Sequence, residues 1–131
     1  MKGESSTPDA RNLFDIAEYG TKLSQADTDH FHYFVAQQLY PSNWARPDIQ
    51  LAVSFLCTRV RGPGTDDYKK LASLMKYIQG TIGLPFTLTI DKSGNIKWYV
   101  DASFAVHKDM RSHTGGFITM GTGGDYLQSS K

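Results

Sequence analysis

One carboxylate stands out among the residues of this chain that could do chemistry. In Tyr99-Val100-Asp101-Ala102-Ser103, Asp101 falls inside a run where Ile96, Trp98, Val100, Ala102 and Phe104 alternate with Lys97, Tyr99, Asp101 and Ser103. A period of two predicts a strand, with Asp101 on the face away from Trp98 and Val100. Aspartate is disfavoured inside strands. A rigid strand is also a good place to fix a carboxylate for metal binding or catalysis. The plainer reading is a solvated aspartate paired with Lys97 or Arg111.

The other candidates carry less. The stretch Tyr99–Ala102 resembles the Tyr-x-Asp-Asp of reverse-transcriptase palms, but two-metal polymerase chemistry wants adjacent carboxylates and Ala102 supplies none. His30 and His32 are two apart, so on a helix they do not face each other. His107 and His113 fall in or near the loop after the Asp101 strand and are expected to be surface or loop histidines. A structural zinc site needs four convergent ligands, and Cys57 is the only cysteine, which also excludes an internal disulfide. Cys57 is expected to pack on or near an apolar helix face. Lys69, Lys70 and Lys76, with Arg59 and Arg61, could touch phosphates or form an ordinary solvated face. Gly121-Thr122-Gly123-Gly124 is not a P-loop, because no Gly-Lys-Ser/Thr and helix follow it, and it is expected to be a hairpin turn.

Composition sets the frame for these residues. The chain has 131 residues, 40% of them hydrophobic, with 14 basic and 13 acidic side chains. That suits one ordinary domain or two small pieces. The net charge of +1 is far from a nucleic-acid footprint. Mean hydropathy is −0.39, and no window approaches the ~20 apolar residues that a membrane span needs. Met1-Lys2-Gly3-Glu4 opens no apolar signal segment. The expectation is an intracellular protein, cytoplasmic or nuclear, neither secreted nor membrane-bound.

The elements that must hold Asp101 follow from periodicity. Residues 1–27 are expected to be a polar lead-in, disordered or loosely docked. Leu13, Phe14, Ile16, Tyr19 and Leu23 within it suit either a docking loop or a short helix. A helix is predicted over 28–40, capped by Asp27 or Thr28, with an apolar stripe of Phe31, Phe34, Val35, Gln38 and Leu39, and stopped by Pro41. A second starts at Pro47, buries Ile49, Ala52, Val53, Leu56 and Val60, and ends at Gly62-Pro63-Gly64. A third runs from an N-cap at Thr65 to a C′ glycine at Gly80, with Tyr68, Leu71, Leu74, Met75 and Ile78 as its stripe. Strands are predicted at 85–90, 96–104, 115–120 and from Tyr126, with turn chemistry at Asp91–Asn95. Helices followed by antiparallel strands make an α+β chain. An uncovered sheet edge is a liability, and marginal stability and aggregation are expected.

Five short motifs, in order, carry a resemblance. They are Arg46-Pro47-Asp48-Ile49, Ala52-Val53-Ser54, Tyr77-Ile78-Gln79-Gly80-Thr81, Tyr99-Val100-Asp101-Ala102-Ser103 and Arg111-Ser112-His113-Thr114-Gly115-Gly116. Together they resemble the Pol polyprotein of copia-type LTR retrotransposons, where the reverse transcriptase ends and the ribonuclease H domain begins. The resemblance implies a helical thumb or connection segment over 28–83 and a partial, truncated ribonuclease H-like domain, an antiparallel three-stranded sheet, over 84–131. It implies that Asp101 is the first metal-binding and catalytic aspartate, with Mg²⁺ or Mn²⁺ as cofactor in the parent family. It gives Arg111, Ser112 and Thr114 a structural or hybrid-contacting role. The partners it implies are an RNA–DNA hybrid or other nucleic acid, which Lys69, Lys70 and Lys76 could also touch, and the remainder of the polyprotein.

The departures from the family bear on activity. Its next carboxylate lies in a Ser-Ser-Thr-Glu-like helix, and this sequence stops at Ser129-Ser130-Lys131 before any such segment. The palm aspartates are absent as well. Val106 stands where the family often has glycine, so the loop there is expected to differ. One carboxylate does not hold two divalent ions against hydration. The expectation is therefore a chain inactive alone, with a non-enzymatic nucleic-acid- or protein-binding module as the alternative.

Overall fold

The computed structural model describes residues 5–9, 12–16, 21–107, 109–124 and 126–130, so Tyr19 and Lys131 lie outside the described residues. The chain forms two compact units, 1–83 and 84–131. It is an α+β protein whose described residues hold three α-helices and two antiparallel sheets. No described helix is long and apolar enough to cross a membrane.

In the first unit, α1 spans Gln25–Trp44 and is capped by Ser24, whose hydroxyl accepts the Asp27 N–H at 3.1 Å. The cap therefore lies three residues before the predicted Asp27, and Asp27 serves the first turn. Pro41 does not stop the helix. Its missing N–H leaves the Gln37 carbonyl without the usual donor, yet its own carbonyl accepts from Ala45 and Arg46 at 2.9 and 2.7 Å. The buried Ser42 hydroxyl donates to the Leu39 carbonyl at 2.8 Å and closes the turn. The stripe is narrower than the sequence suggests: Phe31 and Val35 are buried, but Phe34 and Leu39 are exposed.

A 3₁₀ turn at Pro47–Ile49 leads into α2, Gln50–Cys57. The helix ends before Val60, because the Thr58 and Arg59 N–H groups turn back onto the Phe55 and Leu56 carbonyls. Helix α3 spans Thr65–Gly80. Gly64 occupies the N-cap, and the Asp67 carboxylate accepts its N–H at 2.9 Å. Gly80 remains inside the helix, and Thr81 caps it with its hydroxyl donating to the Tyr77 carbonyl at 2.7 Å.

The buried side of α3 is offset by one residue from the predicted stripe. Asp67, Lys70, Leu71, Leu74 and Tyr77 are buried, while Tyr68, Met75 and Ile78 are only partly covered. Each hidden polar group finds a partner, which is what makes burial tolerable. Asp67 takes Arg59 at 3.2 Å, Lys70 takes Asp66 at 3.0 Å and the Asp15 carbonyl, and the Tyr77 hydroxyl donates to Asp48 at 2.8 Å. The core is Leu13, Phe31, Val35, Ile49, Ala52, Val53, Phe55, Leu56, Leu71, Leu74 and Tyr77. Phe14 meets Phe55 edge-on at 5.4 Å, so residues 12–16 form a turn docked on the helices.

In the second unit, β2 (Lys97–Ser103), β3 (His113–Thr119) and β5 (Tyr126–Ser130) form an antiparallel sheet in the order β2-β3-β5. The predicted strand at 85–90 shrinks to β1, Thr89–Ile90, paired with β4, Gly121–Thr122. Gly121 and Thr122 are thus strand rather than hairpin turn. The glycines permit this: a Cβ on Gly121 would lie 2.2 Å from the Thr89 carbonyl oxygen, and Gly123 has φ +82°.

Candidate metal and nucleic-acid site

Strand alternation places Asp101 as its spacing suggests. Register pairs Tyr99 with Phe117, Asp101 with Gly115 and Ser103 with His113, so these residues share one face. The Tyr99 and Phe117 rings lie 5.9 Å apart on it. Trp98, Val100 and Ala102 point the other way. Asp101 is exposed, held by a seven-residue strand and opposite a glycine that has no side chain to cover it.

Neither partner offered by the plainer reading takes Asp101. Lys97 binds Asp91 at 3.0 Å and Arg111 binds Asp109 at 3.5 Å. Asp91 is the turn residue of Asp91–Asn95. Hydrogen bonds from the Ser93 hydroxyl, the Lys97 ammonium and the Ser93 N–H hold its carboxyl at about 2.

Arg111, Ser112 and Thr114 are all exposed, at the end of the β2–β3 loop and the start of β3. On α3, Lys69 is exposed and Lys76 half-buried, but Lys70 is buried and its ammonium sits 5.1 Å over the Phe55 ring. Lys70 therefore braces the core and does not face solvent as a phosphate contact would. Among the described residues, no group of three or more His, Cys, Asp or Glu could hold a metal ion. The donor set around Asp101 thus does not fit a two-metal centre by itself, since Mg²⁺ surrenders its waters only to a well-placed octahedral set.

The histidines depart most from expectation. His107 and His113 are buried, at 4% and 7% exposure, rather than at the surface. His107 Nε2 lies 3.1 Å from His113 Nδ1, and His113 Nε2 lies 2.6 Å from Ser129 Oγ. Burial pushes the His113 imidazole down from its ordinary value. The loop that carries His107 and leads to His113 holds Ala105 at φ +53° and Met110 at φ +60°, so its backbone is irregular. The available signal was two histidines bracketing a short loop between strands, read together with a serine on the next strand.

Two motifs that are distant in sequence prove to be one structure. Arg46 grips Asp48 through two nitrogens, at 3.0 and 2.8 Å, and reaches the Thr81 carbonyl and hydroxyl at 3.2 and 2.7 Å. The Tyr77 hydroxyl also donates to Asp48, and the Arg46 guanidinium stands 5.6 Å over the Tyr77 ring. Partial burial pushes the Asp48 carboxyl up, but the bonds from Arg46 and Tyr77 outweigh it and hold it below the usual 3.8. Arg46-Pro47-Asp48-Ile49 and Tyr77–Thr81 thus form a latch between the start of α2 and the end of α3. This gives those motifs a structural role.

Comparison with known proteins finds two curated relatives. One is an uncharacterized mitochondrial protein of Arabidopsis thaliana, 31% identical over 74 residues, which is 56% of this chain and 31% of the relative. The other is a putative transposon Ty5-1 protein of Saccharomyces cerevisiae, 28% identical over 105 residues, 80% of this chain and 34% of the relative. The chain spans about a third of the length of each. No family model matches, and no solved structure matches. The transposon relative agrees with the retrotransposon resemblance drawn from the motifs.

Proposed function

We propose that this chain is a stretch of a copia-type retrotransposon Pol polyprotein. Its helical unit is the thumb or connection end of the reverse transcriptase, and its β unit the opening strands of the ribonuclease H domain. The parent polyprotein performs RNA-directed DNA synthesis and RNA–DNA hybrid cleavage, and this chain alone performs neither. One observation carries the reading: Asp101 is fixed mid-strand, exposed and opposite a bare glycine, with no described cation paired to it. The name of the yeast relative supports a transposon origin.

In the parent, Asp101 would be one ligand of Mg²⁺ or Mn²⁺, and the other carboxylates would come from the remainder of the polyprotein. Bound there, paired metal ions would activate water and stabilise the leaving oxygen. The purified chain, given an RNA–DNA hybrid with Mg²⁺ or Mn²⁺, is expected to leave it intact. Cleavage that disappears in Asp101→Asn would overturn the proposal that the chain is inactive alone.

A second reading, a binding module without catalysis, is favoured by the opposite face of the sheet. Trp98, Ile118 and Tyr126 are register neighbours in one row, with Trp98 66% and Tyr126 50% exposed. Aromatic rings on an open sheet can stack bases. Single-stranded oligonucleotide should then quench tryptophan fluorescence, less so in Trp98→Leu and less as salt rises. Quenching indifferent to both would exclude this reading.

A further inference from the structure

The β unit hides two imidazoles in one continuous chain with a serine, and the geometry limits how many protons that chain accepts. His107 Nε2 and His113 Nδ1 face each other at 3.1 Å. One must donate and the other accept, so the contact holds one proton between two nitrogens. A neutral pair satisfies this, and so does a pair carrying one extra proton. Two imidazolium rings would point two N–H groups at each other, and both the hydrogen bond and the burial would fail together.

The three residues come from three separate places. His107 lies in the 104–112 loop, His113 opens β3, and Ser129 lies on the outer strand β5. The loop is held under backbone strain at Ala105 and Met110, and is closed by the His107 N–H donating to the Arg111 carbonyl at 3.2 Å. The other buried side chain of the described sheet residues is Thr119, at its far end.

We propose that His107, His113 and Ser129 form a proton-gated clamp, which holds the 104–112 loop and strand β5 on β3 near neutral pH and releases them when both imidazoles are charged. The sequence places Lys108 in the loop and Asp125 and Lys131 on either side of β5, and the charged groups of the described residues around the clamp can be named. Asp109 and Arg111 pair with each other on the loop, Asp101 lies on the same sheet face opposite Gly115, and the titratable Tyr126 of β5 lies on the other face with its hydroxyl on Gln128. The sign follows from burial. His113 titrates lower in the folded unit than in the unfolded chain, so the unfolded chain binds more protons as pH falls through about 6.5. The clamp is therefore complete above that pH and weakens below it.

The test is amide hydrogen exchange on the full chain, as protection factors, between pH 7.5 and 5. The helical unit serves as the internal reference. Protection of 104–112 and 126–130 should fall severalfold at the lower pH while that of α2 and α3 holds. In His107→Gln, whose amide can still donate and accept but does not titrate, the fall should shrink markedly. Should that variant not fold its sheet, Ser129→Ala supplies the second arm: strand β5 should lose protection already at pH 7.5. An unchanged wild-type profile, or equal falls in wild type and His107→Gln, or Ser129→Ala matching wild type at pH 7.5, would each overturn the proposal.

Discussion

The two units bury different kinds of side chain. Between Leu13 and Tyr77, the helices close around eleven buried apolar residues among those described, and the polar groups that come inside find hydrogen-bond or ion-pair partners. In the β unit, Trp98, Tyr99, Val100, Ile96 and Phe104 stand in solvent, and the buried polar side chains among the described residues are His107, His113 and Thr119. Amphipathic helices can pack on each other and complete a core. A three-stranded sheet has two faces, and a short chain of strands cannot cover both. The helical unit should therefore respond to core mutation like an ordinary small domain, and the β unit should respond to solvent, pH and added surface.

The strongest test of this contrast is truncation at matched apolar positions. Phe55→Ala should cost the helical unit about 3–5 kcal/mol in denaturant unfolding, because the ring is fully buried and packed against Phe14. Val100→Ala on the exposed face of β2 should change stability by within about 0.5 kcal/mol. Equal costs would erase the distinction. Next in size is the latch. Arg46→Ala strips Asp48 and Thr81 of charge-assisted bonds and should cost about 1–3 kcal/mol. The same latch has an acid signature. The Asp48 carboxyl is held below its usual 3.8 when folded, so its stabilisation is present above about pH 4 and is lost as pH falls through the folded value. Acid titration of wild type against Asp48→Asn should converge below that range. The lysines give a finer comparison: Lys70→Ala should cost about 1–2 kcal/mol through lost bonds and the contact on Phe55. Lys69→Ala, one residue away and exposed, should cost within about 0.5 kcal/mol. The smallest stability effect is expected for Trp98→Ser, whose readout is lower aggregation on light scattering with the melting curve unchanged.

Much of this was legible where a period repeats. The three helices, the alternation through Lys97–Ser103 and the exposed face of Asp101 follow from spacing alone. What escaped depends on contacts between distant residues. Around Pro41 the helix runs on to Trp44, where the Pro41 carbonyl accepts from Ala45 and Arg46 and the Ser42 hydroxyl bonds the Leu39 carbonyl. The buried side of α3 runs through Asp67, Lys70 and Tyr77 because Arg59, Asp66, Asp15 and Asp48 wait for them, and hydropathy counts each of those side chains as surface. Arg46 and Thr81 meet across 35 residues. His107, His113 and Ser129 come together only after the loop folds back and the third strand docks.

The central proposal is that Asp101 serves as one ligand of a metal centre completed elsewhere in a polyprotein. Hybrid cleavage by the longer polyprotein proposed to contain this segment, wild type against Asp101→Asn, tests it most directly. Cleavage should fall to background in the variant, with the protein folded and still binding hybrid. Undiminished cleavage by Asp101→Asn would contradict the assignment.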